Sequence, residues 1–531
     1  MKSLISLRQA SLTGILLVLL STSGCIDALD RVPFVEITSA TIYEDPANYK
    51  LVLAKLYAGL AVSGQQGPAG KPDISGIDEG FSSYLRQYWK AQQLPTDEAI
   101  IGWNDGNLRD YHDMDWTSSN EFVLGIYSRI YYQISLCNEF IRESTDEKLA
   151  ARGIAGADAE AIRVYRAEAR LLRAMSYWHA LDMFANVPFV TEEDAPGAFL
   201  PRQAAPAELF AYIESELKAI EPELVPARQG EYGRADQAAA WMILAKLYLN
   251  AETYIGQPRY TEALAECNKV IAAGYSLSPN YRHLFLADNH TSPEIIMPIA
   301  FDGINTRTWG GMTFLVHAPV GGSMSPAEFG INGGWGGIRT TAAFVDKFAD
   351  ITGETDTRAM FYTTGQKKEI DNIFSFTNGY AITKYKNITS TGEKGSDAVG
   401  NFPDTDFPLF RLADVYLMYA EAVLRGGTGG DLGTALGYVN ALRQRAYGNA
   451  DGNVTELTLD FILDERSREL YWEGHRRTDL IRFGRYTGDA YIWPWKGSVK
   501  EGQAVSSHFR LYPIPSSDLV ANPNLVQNPG Y

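Results

Sequence analysis

The chain is short of cysteine, of histidine and of positive charge, and each shortage removes a class of function. Three cysteines stand among 531 residues. Cys25 closes an N-terminal apolar segment, so a single bridge remains open, between Cys137 and Cys267. Both lie in helical-looking apolar runs, QISLCNEFI and EALAECNKVI, and read as buried free thiols, with the bridge as the alternative. The seven histidines form no HExxH zinc motif, and neither a GxSxG nucleophile turn nor a phosphate-binding loop occurs. Lys and Arg total 47 against 64 Asp and Glu, a net charge of −17. Such a surface disfavours nucleic acid and polyanions, which would need a local basic patch, and leaves neutral ligands as the easier expectation. After residue 24 no apolar run is long enough to cross a bilayer.

What is present is an ordinary globular composition, 45% hydrophobic and 12% aromatic, ample for a large core. The N-terminus, MKSLISLRQASLTGILLVLLSTSGC, sets Lys2 and Arg8 before an apolar heart at 15–20. It reads as a secretory signal over residues 1–24. Gly24-Cys25 has the form of a bacterial lipobox, with Thr22 where Leu is commonest. Cys25 is then the expected lipidation site, tethering an otherwise soluble chain; a plain signal peptide with an incidental cysteine is the alternative.

The strongest periodicity is a recurring pair of helices. DQAAAWMILAKLYLNAE (236–252) carries Ala240, Leu244, Leu247 and Tyr248 on one face, and RYTEALAECNKVIAAGY (259–275) answers with Ala263, Cys267, Val270 and Ile271. Small residues at Ala245 and Ala265 allow close approach. A second pair joins FRLADVYLMYAEAVLR to DLGTALGYVNALRQRA, with further helices at 47–62, 120–143, 161–185 and 205–221. About four pairs predict a mainly α, tetratricopeptide-like scaffold whose stacked pairs share one core. Residues 64–118 and 276–411 differ: rich in Gly, Asn, Asp, Pro and aromatics and without sustained periodicity, they read as long functional insertions. Strands are expected to be few and short, as in EIIMPIAF and GYAITKYK. The expected division is 25–275 and 276–531, packed as one structural unit.

Four segments, in order, resemble the SusD/RagB family of Bacteroidetes outer-membrane lipoproteins: RAEARLLRAMSYWHALDMFANVPFV (166–190), FPLFRLADVYLMYAEAV (407–423), ILDERSRELYWEGHRRTDLIRFGRY (462–486) and LYPIPSSDLVANPNLVQNPGY (511–531). By themselves these read as fold, the third as a charged amphipathic helix ended by glycine. Further stretches, DISGIDEG, LPTDEA, RTWGGMTFLV, NGGWGG and FPDTDFPLFRLA, resemble the family's starch-binding branch and lie mostly in the insertions. The resemblance implies a non-enzymatic, surface-facing glycan binder that sits on a SusC-like TonB-dependent outer-membrane transporter.

Nine of the ten tryptophans can be sorted by their neighbours. Trp178, Trp241 and Trp472 fall at helical apolar spacing and read as core; Trp89, Trp493 and Trp495 read as core or interface packing. Trp103 (IIGWNDGN), Trp309 (RTWGGM) and Trp335 (INGGWGG) stand in glycine-rich loops, where little surrounds an indole. An indole face stacks on the C–H face of a pyranose, while amides and guanidinium forks satisfy its hydroxyls. Asn104 adjoins Trp103, and Arg86 and Asp78 are placed in neighbouring loops. The resemblance implies the same set: an aromatic arc following a bent α-glucan at Trp103, Trp309 and Trp335, with Arg86 and Asp78 as polar partners. Three departures stand out against that branch. Ile101 replaces a second arc tryptophan, Gly106 replaces a hydrogen-bonding asparagine, and Trp309 replaces a tyrosine.

Two rival classes remain. A glycosidase would need aromatics and two carboxylates. Asp97, Glu98, Asp105, Asp110, Asp113 and Asp115 supply acids, but none are set apart as a pair, and they read as a solvated acidic loop. A peptide-binding adaptor would use the helical scaffold alone. No cofactor is expected; LADN (286–289) reads as a helix-ending turn rather than a calcium loop.

Overall fold

The helices begin where side chains can serve their first free N–H groups. In the computed structural model, Asn120 accepts from the N–H groups of Phe122 and Val123 and opens Glu121–Glu143. Asp236 caps Gln237–Leu249 in the same way, Asp431 caps Leu432–Tyr447 and Thr458 caps Leu459–Leu470. The structure describes residues 39–531 apart from 69, 195, 196 and 198. The signal segment and Cys25 lie outside the described residues.

The predicted helices are present as Pro46–Ala61, Glu121–Glu143, Gly156–Phe184, Pro206–Ile220, Gln237–Leu249, Tyr260–Ala272, Leu412–Leu424 and Leu432–Tyr447. They pack as neighbours in pairs: Glu121–Glu143 on Gly156–Phe184, Gln237–Leu249 on Tyr260–Ala272, and Leu412–Leu424 on Leu432–Tyr447. Leu412–Leu424 also contacts Tyr260–Ala272 and Leu459–Leu470. Enclosed by these and further partners, it is buried nearly all round, charged Asp414 and Glu421 included. Ala245 is buried as expected, but Ala265 faces solvent; Leu264 and Glu266 turn inward beside it. Residues 49–531 form one compact unit. Cys137 and Cys267 are both buried free thiols, and burial pushes the Cys137 thiol up to about 12.

Strands are short and occur as two-stranded ladders among the described residues. Ile295–Ile299 pairs antiparallel with Phe407–Arg411, with a register irregularity on either side of Met297. The long 300–406 insertion therefore leaves and returns at one ladder. A second ladder aligns Ile100 with Arg339 and Ile101 with Ile338.

Two expectations are corrected. Residues 84–93 are not loop: Tyr84–Gln93 is a helix with all ten residues buried, so Arg86 projects from a helix. The 465–484 stretch is not one charged amphipathic helix. Leu459–Leu470 and Arg476–Arg482 are separate helices, with Trp472 (φ 63°) and Gly474 (φ 81°) left-handed between them. Trp472 is held there by its indole N–H donating to the Glu98 carbonyl (2.9 Å). Its own carbonyl accepts from Trp89 (2.9 Å) and Tyr385 (3.0 Å). A Cβ on Gly474 would lie 2.7 Å from the Tyr88 ring. The expected glycine stop is found at Gly484 (φ 66°).

Glu465 and Glu469 of the first helix, and Glu473 just after it, face inward. Arg411 donates to Glu294 (2.8 Å), Glu469 (2.7 Å) and Glu473 (2.6 Å), and Arg358 to Glu465 (2.8 Å) and Asp356 (2.7 Å). Arg445 joins Glu294 (2.7 Å), and Lys384 reaches Glu473 (2.7 Å). All are buried or nearly so. Buried charges persist only when paired and hydrogen-bonded, and here each has several partners.

Candidate functional site

The short Ile100–Ile101 and Ile338–Arg339 ladder brings two of the loop tryptophans together. It continues through the Gly102 N–H donating to the Gly337 carbonyl (3.1 Å). Because the strands are antiparallel, Trp103, just after one strand, and Trp335, just before the other, emerge at the same end. The helix Gly311–His317 supplies the third. Trp309 precedes it, and its C-terminal end receives the Trp335 loop. Trp335 N–H donates to the His317 carbonyl (2.9 Å), Gly336 N–H to Val320 (2.8 Å), and Gly337 and Ile338 N–H to Ala318 (2.8 and 3.0 Å).

The glycines act by close approach. A Cβ on Gly337 would fall 2.3 Å from the Trp103 indole, and one on Gly334 2.2 Å from the Val320 carbonyl. Gly310 lies against Ser83, whose hydroxyl accepts from the Gly311 N–H (3.0 Å). No side chain fits at these contacts, so the three loops seat on one another's backbone.

The three indoles form a run with Trp335 in the middle. Ring centroids are 6.3 Å apart for Trp103–Trp335 and 6.4 Å for Trp335–Trp309, tilted by 45° and 57°. Each ring is half-buried. With these tilts the three rings are not coplanar. Behind it stand rings that the sequence did not single out. His317 stacks under Trp335 (5.0 Å, 27°), Phe402 lies 5.0 Å from Trp309, and Phe314 meets Trp103 edge-on at 6.0 Å. His317 is fixed by carbonyls at both nitrogens, Gly333 (2.6 Å) and Asn401 (2.9 Å). Burial lowers its pKa, against the pull of those carbonyls. A lone histidine in the apolar run FLVHAPV reads as core, and nothing in its spacing ties it to Trp335.

Arg86 serves this surface from below. Nη1 donates to the carbonyls of Gly80 (3.2 Å) and Trp309 (3.1 Å), and the guanidinium sits 4.4 Å over Phe314. Burial lowers its pKa to about 10, while Asp105 and Asp78 are near enough to oppose that. Asp78 is exposed and accepts from the Phe81 N–H (3.1 Å); it reaches the Trp309 neighbourhood through Gly80. Asn104 is exposed beside Trp103. The six expected residues thus gather at one place, with Arg86 placed to hold Trp309.

The departures have structural reasons. Ile101 is fully buried in the ladder. Gly106 has φ 48°, and a Cβ there would lie 1.7 Å from the exposed Glu121 carboxylate, so an asparagine would require that side chain to swing aside. Arg339, also missed, is buried without a carboxylate among its bonds. It donates instead to the carbonyls of Gly337 (2.9 Å), Ile373 (2.6 Å) and Asn378 (2.8 Å), and burial lowers its pKa to about 10.

Other tryptophans sort as follows. Trp89, Trp178, Trp472 and Trp493 are buried. Trp241 is only half-buried, its indole N–H donating to Glu221 (2.8 Å), which corrects its core assignment. The acidic stretch is corrected too: Asp97 and Glu98 are buried, not solvated. Arg476 grips Asp97 with two bonds (2.7 and 2.8 Å) and holds its carboxyl down to about 2, whereas burial pushes the neighbouring Glu98 up. Asp288 accepts from the Ser390 N–H (2.9 Å) and hydroxyl (2.6 Å), so the LADN segment is a tied turn. Among the described residues no cluster of His, Cys, Asp and Glu could hold a metal ion, and no helix is long and apolar enough to cross a membrane.

Comparison with known proteins places these observations. The SusD family model matches residues 351–531. The starch-binding protein SusD of Bacteroides thetaiotaomicron is 37% identical over 96% of this chain and 96% of its own length. A SusD-like protein of Bacteroides ovatus is 24% identical over 96% of this chain and 90% of its own. Among solved structures, a laminarin-binding SusD-like protein has a TM-score of 0.68 at 22% identity, covering 91% of this chain and 99% of that one. Surface glycan-binding protein A from Bacteroides thetaiotaomicron, in complex with laminarihexaose, has a TM-score of 0.66 at 20% identity and covers 91% and 99%.

Proposed function

The chain belongs to the SusD family, and from that premise we propose that it captures starch-type α-glucan on the Trp103–Trp335–Trp309 surface. The observation that carries this reading is the row of three half-buried indoles, 6.3 and 6.4 Å apart and tilted to one another by 45° and 57°. A row of mutually tilted apolar faces suits a chain whose sugars turn steadily, and successive glucosyl units stack along it. Asn104 and Asp78, both exposed at its margin, meet the hydroxyl rim. Arg86 keeps Trp309 in place. The relative that shares 37% of its residues is named a starch-binding protein, which supports this ligand and a binding rather than a catalytic role.

In the same reading Cys25 carries the lipid anchor, holding the protein at the outer membrane with its platform outward. A SusC-like TonB-dependent transporter receives the glycan. Changing Cys25 to Ala then releases a folded protein from the membrane fraction. The ligand is tested by affinity gels containing amylopectin, pullulan, dextran, laminarin or levan. Retardation by amylopectin and pullulan supports the proposal; retardation by laminarin or levan alone rejects it. Release of reducing sugar from soluble starch would instead indicate a glycosidase.

A further inference from the structure

Beyond the three indoles, the loop 370–378 brings two phenylalanines to the same place. Its base is firmly built. Ile370 and Ile373 pack with Ile100, and Trp495 covers them while donating to the Ile370 carbonyl (3.0 Å). Asn378 accepts from the N–H groups of Asp371 and Asn372 (3.0 and 3.1 Å), and Asn372 from that of Phe374 (3.0 Å). The loop is joined to the tryptophan loops at three points. Arg339 bonds the carbonyls of Ile373 and Asn378 on one side and of Gly337 on the other. Phe376 packs on Gly321 and Gly336, next to Trp335. The Ile373 carbonyl lies 2.6 Å from where a Gly102 Cβ would stand. Phe374 and Trp103 are each one residue beyond that crossing, about 3.8 Å of chain apiece.

Phe374 is nonetheless 52% exposed, so its ring is open to a ligand. The Arg109 guanidinium covers it at 5.2 Å from the ring centroid. Arg109 itself bonds Asp113 through Nη2 (3.3 Å), and its Nε has no partner among the described residues. An apolar ring backed by a fork of donors is the same pairing of stacking face and hydroxyl partner that the indoles offer.

We infer that Phe374, with Arg109, forms an additional sugar subsite at the Trp103 end of the arc, occupied only by glucan chains that overrun the three indoles. This rests on the reading of the arc as an α-glucan platform. The subsite makes affinity depend on chain length, so long oligosaccharides bind more tightly than short ones.

Calorimetric titration of maltotriose and maltoheptaose into the parent, Phe374→Ala, Phe374→Trp and Trp335→Ala proteins tests it. Phe374→Ala is expected to lose about tenfold in affinity for maltoheptaose and to bind maltotriose like the parent. Its melting temperature should hold, since the ring is half in solvent, and Phe374→Trp should keep the length dependence. The inference is overturned if Phe374→Ala binds maltoheptaose within twofold of the parent, or loses equally with both sugars. In either case a large loss in Trp335→Ala leaves the platform reading standing. A parent that binds neither sugar, or a Trp335→Ala protein that binds both like the parent, overturns the platform reading and the subsite with it.

Discussion

The tryptophan arc and the arginine–glutamate lattice around Arg411 are two regions built on opposite plans. In the arc, large apolar rings stand partly exposed and are placed by backbone: ladder bonds, N–H groups donating to carbonyls, and close-packed glycines. In the lattice, charged side chains are buried and place one another. Apolar surface left in water is a standing cost, retained where a ligand covers it. Buried charge is tolerated only while every partner remains. One region is therefore expected to lose binding when cut, and the other to lose the fold.

Breaking the lattice should have the largest effect. Arg411→Ala removes the one cation shared by Glu294, Glu469 and Glu473, leaving them to Arg445, Arg358 and Lys384, and is expected to cost about 3–5 kcal/mol, read as a lowered midpoint in chemical denaturation. Acid should act on the same region in a defined window. The carboxyls of Asp97, Glu465 and Asp479 are held down to about 2 by neighbouring arginines, despite burial. Groups with depressed folded values stabilise the protein above the unfolded carboxylate pKa of about 4, and that stability drains away as pH falls toward about 2. Thermal melts should drop across this window, and Asp97→Asn should shrink the drop.

A change at the boundary between the two plans sharpens the comparison. Arg339→Met removes the donor shared by Gly337, Ile373 and Asn378. Gly337 keeps the Gly102 N–H, while the Ile373 and Asn378 carbonyls lose their donor, at an expected cost of about 1–3 kcal/mol each. Because those carbonyls belong to the platform loops, α-glucan affinity should fall severalfold alongside stability. A variant that melts lower but binds unchanged would separate the clamp from the platform.

The two regions were unequally legible in the sequence. The paired helices showed themselves by apolar spacing, and the arc by tryptophans set among glycines where no core could form around them. Tyr84–Gln93 did not: Tyr84, Leu85, Tyr88 and Trp89 share a face, but the run is only ten residues long and lies inside a stretch rich in turn-forming residues. The burial of Arg86, Gln87, Lys90, Gln92 and Gln93 depends on distant partners. The break at Trp472 was equally hidden, since its left-handed backbone is stabilised by Glu98 and Trp89, far away in the chain. The inward turn of Glu465, Glu469 and Glu473 depends on Arg358 and Arg411, distant partners that local periodicity cannot report. His317 and Arg339 were missed for the same reason: each matters through what it touches across the fold.

The central claim is that Trp335, the middle ring, is there to meet a ligand. Titration of a cyclic α-glucan into the parent and Trp335→Ala proteins, paired with thermal melts, tests it most directly. Removing a stacked ring by analogy with base stacking costs about 1–3 kcal/mol, so affinity should fall about ten- to a hundredfold while the melting temperature moves by only a few degrees, the loss of the His317 stack included. A Trp335→Ala protein that unfolds, or that binds within twofold of the parent, would make the ring a structural pin and contradict the account.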